Sequence, residues 1–191
     1  MKQIVFLFIL TILFSNCKTT SLSVSNAPKS YFFAEGRGAY DGDSPTIKVQ
    51  TATGDTTYRI RLYGIDAPEH NSIYVDSTQP YSHESALWLR TLIKDKQVKV
   101  IPMYVDDFDR RVCRLVVDSV DVNELSVKLG HSWYRSETNM KKSERDRLKS
   151  YQTGANLLEL GLWGSKFPIA IKPATWRNRY SSFLRAFKDR Y

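Results

Sequence analysis

The chain has 191 residues, 42% hydrophobic and 13% aromatic, which is enough for one folded domain and too apolar for wholesale disorder. A net charge of +8 and a pI near 9.4 favour a polyanionic partner, either nucleic acid or an anionic membrane surface. There are two cysteines, Cys17 and Cys113, and no histidine pair or cysteine pair spaced for a zinc site.

Lys2 precedes an apolar run from Ile4 to Phe14, too short to span a membrane but of the length of a signal-peptide core. Residues 1–16 are therefore expected to be an export signal. Cys17 stands where a bacterial lipoprotein carries its lipid, although Leu13-Phe14-Ser15-Asn16 matches a lipobox only loosely. A Ser/Thr-rich tether (17–30) follows, as an anchor requires. The chain is thus read as exported, a monomer either held on the envelope membrane through lipid at Cys17 or secreted. Lipidation would leave Cys113 without an intramolecular partner.

The folded domain is expected over residues 31–165. Tyr31 to Tyr40 reads as a first strand. Ile47 and Val49, then Tyr58, Ile60 and Leu62, alternate at period two on either side of Thr53-Gly54-Asp55, which predicts a hairpin. Asn71 to Pro80 has no period and reads as a loop. Ala86, Leu89, Leu92 and Ile93 share a helical face between Ser82 and Lys94. Gln97–Tyr104 and Arg111–Val117 form a second hairpin around the charged connection 105–110. Asp121 and Glu124 make a capping-box pattern for a short helix with Val122, Leu125 and Leu129 inward and Gly130 at its end. His131 to Arg135 is a candidate strand. Leu148, Tyr151, Ala155 and Leu158 predict a longer helix ending at Gly161. These elements make an α+β, mainly β fold: a five-stranded barrel of the oligonucleotide-binding type with about three helices. A basic, aromatic extension (166–191) follows. Its Trp176, Tyr180, Phe183, Leu184 and Phe187 share a face, with Arg177, Arg179, Arg185, Lys188 and Arg190 supplying charge. It reads as a helix packing its aromatics on the domain, or alternatively as a basic helix lying on membrane or nucleic acid.

The chemistry concentrates between Asp41 and Glu69. Asp41-Gly42-Asp43 stands at one end of the first hairpin and Asp66, Ala67, Pro68 and Glu69 at the other, so the fold-back brings carboxylates together. Asp43 and Asp66 with one backbone carbonyl would suit a hard cation such as Ca²⁺. Arg61 precedes Asp66, and strict alternation puts its guanidinium on the side of Tyr63 and Ile65 unless the strand bends. Arg110 lies in the second hairpin. A cation, arginines and a spare carboxylate are the parts required for phosphodiester hydrolysis.

These pieces resemble the staphylococcal (micrococcal) nuclease, or thermonuclease-like, family. The resemblance rests on Asp41-Gly42-Asp43, the run Arg61-Leu62-Tyr63-Gly64-Ile65-Asp66-Ala67-Pro68-Glu69, and Phe108-Asp109-Arg110-Arg111-Val112. Val122-Asn123-Glu124-Leu125, Gly130 and Leu160-Gly161-Leu162-Trp163 extend it. It implies an oligonucleotide-binding barrel and a Ca²⁺-dependent endonuclease acting on DNA and RNA. Asp43, Asp66 and the Ala67 carbonyl would hold the metal. Arg61 and Arg110 would bind the scissile phosphate, and Glu69 would activate the attacking water. Cleavage would break the bond to the 5′ oxygen and leave 3′-phosphates. Three departures stand out: Ser44-Pro45-Thr46 after Asp43, Ala67 where threonine is common, and Asp109 where glycine usually precedes the arginine. The rival readings are a barrel that binds nucleic acid without cutting it and an envelope lipoprotein with a basic surface. Trp133, Tyr134 and Cys113 are expected to pack in the core. His70, His83 and His131 are expected to be structural or solvent-facing.

Overall fold

Alternation in the first third of the domain produces three antiparallel strands: β1 (Phe32–Ala39), β2 (Pro45–Thr51) and β3 (Gly54–Arg59). The computed structural model describes residues 30–70, 78–166 and 170–179. The expected signal segment, Cys17, the tether up to residue 29 and the tail beyond residue 179 lie outside the described residues, as do residues 71–77 of the expected loop. The β2–β3 register runs from Thr46 opposite Arg59 to Thr51 opposite Gly54, so the turn is one residue earlier than its composition indicated.

The third strand does not run on to Leu62 as its alternation implied. It breaks at Ile60, and β4 (Arg61–Leu62) leaves the hairpin to pair in parallel with Val112 and Cys113 of β7 (Arg111–Val117). The sheet order is β3-β2-β1-β6-β7-β4, with β6 at Gln97–Val105. Its two outer strands, β3 and β4, are joined through Ile60 alone, so the sheet curls back on itself. The Ile60 amide donates to the Pro45 carbonyl at 3.0 Å and the Leu62 amide to the Asp43 carbonyl at 2.8 Å, which fastens this seam. β5 (Ile65–Asp66) pairs with β9 (Trp133–Tyr134), and β8 (Val120–Asp121) pairs with β7.

Ile47, Ile60, Leu62, Ile65, Val98, Val100 and Leu115 fill the barrel, with Cys113 among them; burial pushes the Cys113 thiol up to about 11. It packs as the small hydrophobe its strand indicated. Helix α1 (Ser82–Ile93) closes one side with Ala86, Leu89 and Ile93. Asp121 caps α2 (Val122–Lys128), accepting the Glu124 amide at 2.9 Å. Glu124 does not return the contact as a full capping box would; its carboxylate turns to Arg147 of α3 (Lys142–Leu157). The buried face of α2 is Val122, Asn123, Ser126 and Val127, and Leu129, expected inside, is exposed. Asn123 replaces apolar packing with hydrogen bonds: its amide donates to the Tyr63 carbonyl at 2.8 Å and accepts from the Leu115 amide at 3.1 Å. Helix α3 buries Leu148 and Ala155 but ends before Gly161, leaving Leu158 exposed as its C-cap. A 3-10 turn at Gly161–Trp163 brings Leu162 onto Trp133 and Tyr81, a second small core that Trp163 and Ala170 cover. Residues 173–179 form a further helix, α4. The fold is the expected α+β oligonucleotide-binding architecture, with short ladders added around its five main strands.

Candidate active site

Asp43 begins in a tight turn. The Asp41 side chain accepts the Asp43 amide at 3.1 Å, and the Tyr40 amide donates to the Ser44 carbonyl at 3.1 Å. Gly42 is required by close approach, since a Cβ there would lie 1.7 Å from Ser85 Oγ and 2.8 Å from the Ala67 Cβ. The missing side chain lets the turn sit between α1 and the Asp66–Glu69 segment. Asp43 Oδ2 then accepts the Ala67 amide at 2.6 Å, and Oδ1 accepts Ser44 Oγ at 3.2 Å. The altered Ser44-Pro45 turn thus adds a hydroxyl donor to Asp43.

Arg61 enters from β4. One terminal nitrogen pairs with Asp43, and the other donates to Asp66 Oδ1 at 2.6 Å and to the Ile65 carbonyl at 3.1 Å. Alternation alone would separate Arg61 from Asp66. Gly64, at φ 75°, bends the chain between β4 and β5 and puts both side chains on one side. The three groups are 1%, 7% and 7% exposed for Asp43, Arg61 and Asp66, which makes this a buried ionic triad.

Burial raises the Asp43 carboxyl well above the usual range, and Asp41 and Asp66 add to the rise against the pull of Arg61 and the Ala67 amide. Arg61, although desolvated, is held firmly protonated by Asp43 and Asp66. Glu69 stands on the rim. Burial lifts its carboxyl above the ordinary range, Arg177 opposes the lift, and Asp66 and Asp41 add to it. Gln79 clamps its backbone, donating its own backbone N–H to the Glu69 carbonyl at 2.8 Å and accepting the Glu69 backbone N–H on Oε1 at 3.1 Å.

Arg110 is placed elsewhere. Its Nε and Nη2 lie 2.8 and 2.7 Å from Asp106 Oδ2 in its own loop, and its guanidinium lies 5.1 Å from the centre of the Phe108 ring. Asp109, just before it, has φ 57°, the conformation for which a glycine is the usual choice and which Asp tolerates better than most residues. The guanidinium that touches the carboxylates in addition to Arg61 comes from α4. Arg177 contacts Asp66 through both terminal nitrogens, at 3.4 and 3.3 Å, and pairs with Glu69. Sequence reading placed Arg177 among the cations of the extension; its separation from Asp66 by 111 positions leaves no local signal of the contact. Gln79 was equally silent, lying in a stretch without period.

Trp133 is buried beside Trp163, with ring centres 5.5 Å apart, and forms part of the second core. His131 stacks on Trp88 with ring centres 4.3 Å apart, and its Nδ1 meets the Tyr81 hydroxyl at 2.8 Å. It is structural, as expected.

Among the described residues no group of three or more His, Cys, Asp and Glu side chains stands ready to enclose a metal. The donors that converge are hard oxygens: Asp43 and Asp66 share one guanidinium, and Asp41 acts on both Asp43 and Glu69. Asp43 and Asp66 thus offer oxygen donors only, the class of ligand a hard divalent cation takes.

A family model described as staphylococcal nuclease homologue matches residues 59–165, more than half of the chain. A probable endonuclease of Komagataella phaffii is 30% identical over 169 residues, covering 83% of this chain and 73% of the relative. A probable staphylococcal-like nuclease of Oryza sativa subsp. japonica is 31% identical over 157 residues, 80% of this chain and 44% of the relative. A probable endonuclease of Candida albicans is 32% identical over 116 residues, 57% of this chain and 48% of the relative. The chain therefore spans less than half the length of the rice and Candida relatives. The broken third strand, the carboxylates it gathers around Arg61, and these matches lead to one conclusion: the chain belongs to the staphylococcal nuclease family.

Proposed function

We propose that this chain is a metal-dependent endonuclease that hydrolyses phosphodiester bonds of DNA, RNA or both. The observation that carries this is the buried Asp43–Arg61–Asp66 triad with Glu69 on its rim. A binding barrel without catalysis has no need for two desolvated carboxylates, each of which costs free energy to bury. Asp43, Asp66 and the Ala67 carbonyl would hold Ca²⁺, which when bound supplies positive charge to the phosphoryl oxygens. Arg61, fixed by both acids, is pre-organised toward the same phosphate, so it needs no reorganisation as charge develops. Glu69, whose carboxyl burial raises above the ordinary range against the pull of Arg177, is the rim carboxylate that would take a proton from the attacking water. Attack in line with the bond to the 5′ oxygen leaves a 3′-phosphate. In this reading Arg110 swings from Asp106 to the substrate, a move its exposed loop permits.

The test is purified protein on linear DNA and on RNA, with Ca²⁺ or with chelator. Cleavage only with Ca²⁺ and 3′-phosphate ends are expected; cleavage unaffected by chelator would remove the metal from the mechanism. Export and attachment through lipid at Cys17 are proposed on the sequence from Lys2 to the tether alone.

A further inference from the structure

The carboxylate cluster is short of positive charge. Asp41 and Asp66 act electrostatically on both Asp43 and Glu69, and among the described residues of the barrel Arg61 is the guanidinium that pairs with these acids. With all four acids ionised, one guanidinium would leave three negative charges. A bound divalent cation reduces that to one, which still repels the single negative charge of a phosphodiester at close range. Arg110 does not make up the deficit in this structure. It is engaged by Asp106, and the connection 105–110 that carries it holds three aspartates, Asp106, Asp107 and Asp109, before Arg111 opens the next strand.

Arg177 supplies the missing charge from outside the segment that matches the family model. Its two terminal nitrogens bracket Asp66, and one also reaches Glu69, so it lies across the mouth of the site. Its side chain is 43% exposed, against 8% for Arg61. A phosphate arriving from solvent therefore meets Arg177 first. The approach of α4 is built into the fold. Pro173 is buried, Ala170 packs on the Tyr81–Trp133–Leu162 cluster, and the Gln79 side-chain amide donates to the Ile171 carbonyl. Gln79, itself 3% exposed, is the residue that also clamps the Glu69 backbone, so the segment carrying Arg177 and the segment carrying Glu69 share one anchor.

We propose that Arg177 is a substrate-binding arginine of this site: the C-terminal helix delivers a guanidinium that holds a phosphate of the nucleic acid beside Glu69. The inference rests on the nuclease reading above and adds a residue to it. A planar guanidinium satisfies two phosphate oxygens at once, which an ammonium does not.

The experiment uses the full chain, wild type, Arg177→Ala and Arg177→Lys. Cleavage is followed with Ca²⁺, and binding of a short fluorescein-labelled single-stranded oligodeoxynucleotide is followed by anisotropy in chelator across a salt series. Arg177→Ala should lower kcat/KM roughly 10- to 100-fold. It should also weaken oligonucleotide binding and reduce the slope of log K against log salt by about 0.7, the value for one lost phosphate contact on a single strand. Arg177→Lys should recover the salt slope and only part of the rate. A residue that merely fastened the helix would leave the slope unchanged, and circular dichroism of each variant reports whether α4 has melted. Unchanged binding and slope in Arg177→Ala would overturn the proposal, as would faster cleavage, which would make α4 an inhibitory cover instead. If wild type itself cleaves nothing, the nuclease reading fails, while the binding arm still decides whether Arg177 contacts phosphate.

Discussion

Arg61→Gln isolates the cost of the buried triad. The guanidinium pairs with Asp43, donates to Asp66 at 2.6 Å and to the Ile65 carbonyl at 3.1 Å, and is itself 7% exposed. Hydrogen bonds to charged groups are worth about 1.5–3 kcal/mol each, and breaking a buried pair from one side costs about 3–5 kcal/mol because a charge is stranded. Here both carboxylates would lose their shared partner, though the Ala67 amide and the Ser44 hydroxyl still serve Asp43 and Arg177 still meets Asp66. Protonation offers Asp43 a way out, since burial already raises its carboxyl. The expected loss is therefore about 3–5 kcal/mol, roughly a third of a domain's stability, and it should shrink as pH falls. Urea unfolding followed by tryptophan fluorescence in chelator measures it. Ca²⁺ should return part of the loss if Asp43 and Asp66 hold the cation, because a ligand of the native state alone stabilises it. A loss below about 1 kcal/mol, the behaviour of an exposed pair, would refute the description of the triad as buried and mutually dependent.

Glu69→Gln should lower kcat by about 10²- to 10⁴-fold, the range for a lost general base, with much less change in oligonucleotide affinity; wild-type turnover would take Glu69 out of the chemistry. His131 gives a pH prediction. Burial against Trp88 and Tyr81 lowers its pKa to about 4 from an ordinary 6.5, so the folded state favours the neutral ring. Its contribution is complete above pH 6.5 and is lost as pH falls toward 4, with an upper bound of about 3 kcal/mol. His131→Phe should flatten that part of the stability–pH curve, and an unchanged slope there would show that His131 is not its source. Cys17→Ser should abolish incorporation of labelled fatty acid in cells; a wild type that takes up no label would reject the lipid anchor.

The strands and the first three helices were legible because each carries a local signal, whether alternation, β-rich composition, a cap or a helical face. What failed was continuity. Alternation from Tyr58 to Leu62 gives no sign that the strand breaks at Ile60, since an apolar residue suits either a continuing ladder or a seam. The same break decides the site: Arg61 reaches Asp66 because Gly64 bends the chain, a possibility raised by the glycine but not determined by it. Asp41, Asp43, Asp66 and Glu69 were visible as carboxylates near hairpin ends because the hairpin is local. Leu129 and Leu158 were misplaced because a helix's last turn can leave the core while its pattern persists, and both fall at helix C-caps.

Contacts that span the chain left no such trace, and Arg177 is the case that matters. A cation on a terminal helix reads as solvated charge, and nothing in residues 170–179 names the carboxylates it meets. Electrostatic balance points to it only once the acids have been assembled and counted. A site that gathers four acids needs counter-charge, and a loop carrying Asp106, Asp107 and Asp109 around Arg110 is poorly placed to supply it. Asp109 at φ 57° keeps the turn a glycine would make, but adds the negative charge that glycine would not. The acidic residue beside Arg110 and the arrival of Arg177 from the C-terminal helix therefore belong to the same physical account: where the loop arginine is held by Asp106, a distant helix adds a second guanidinium to the one that Arg61 brings to the acids.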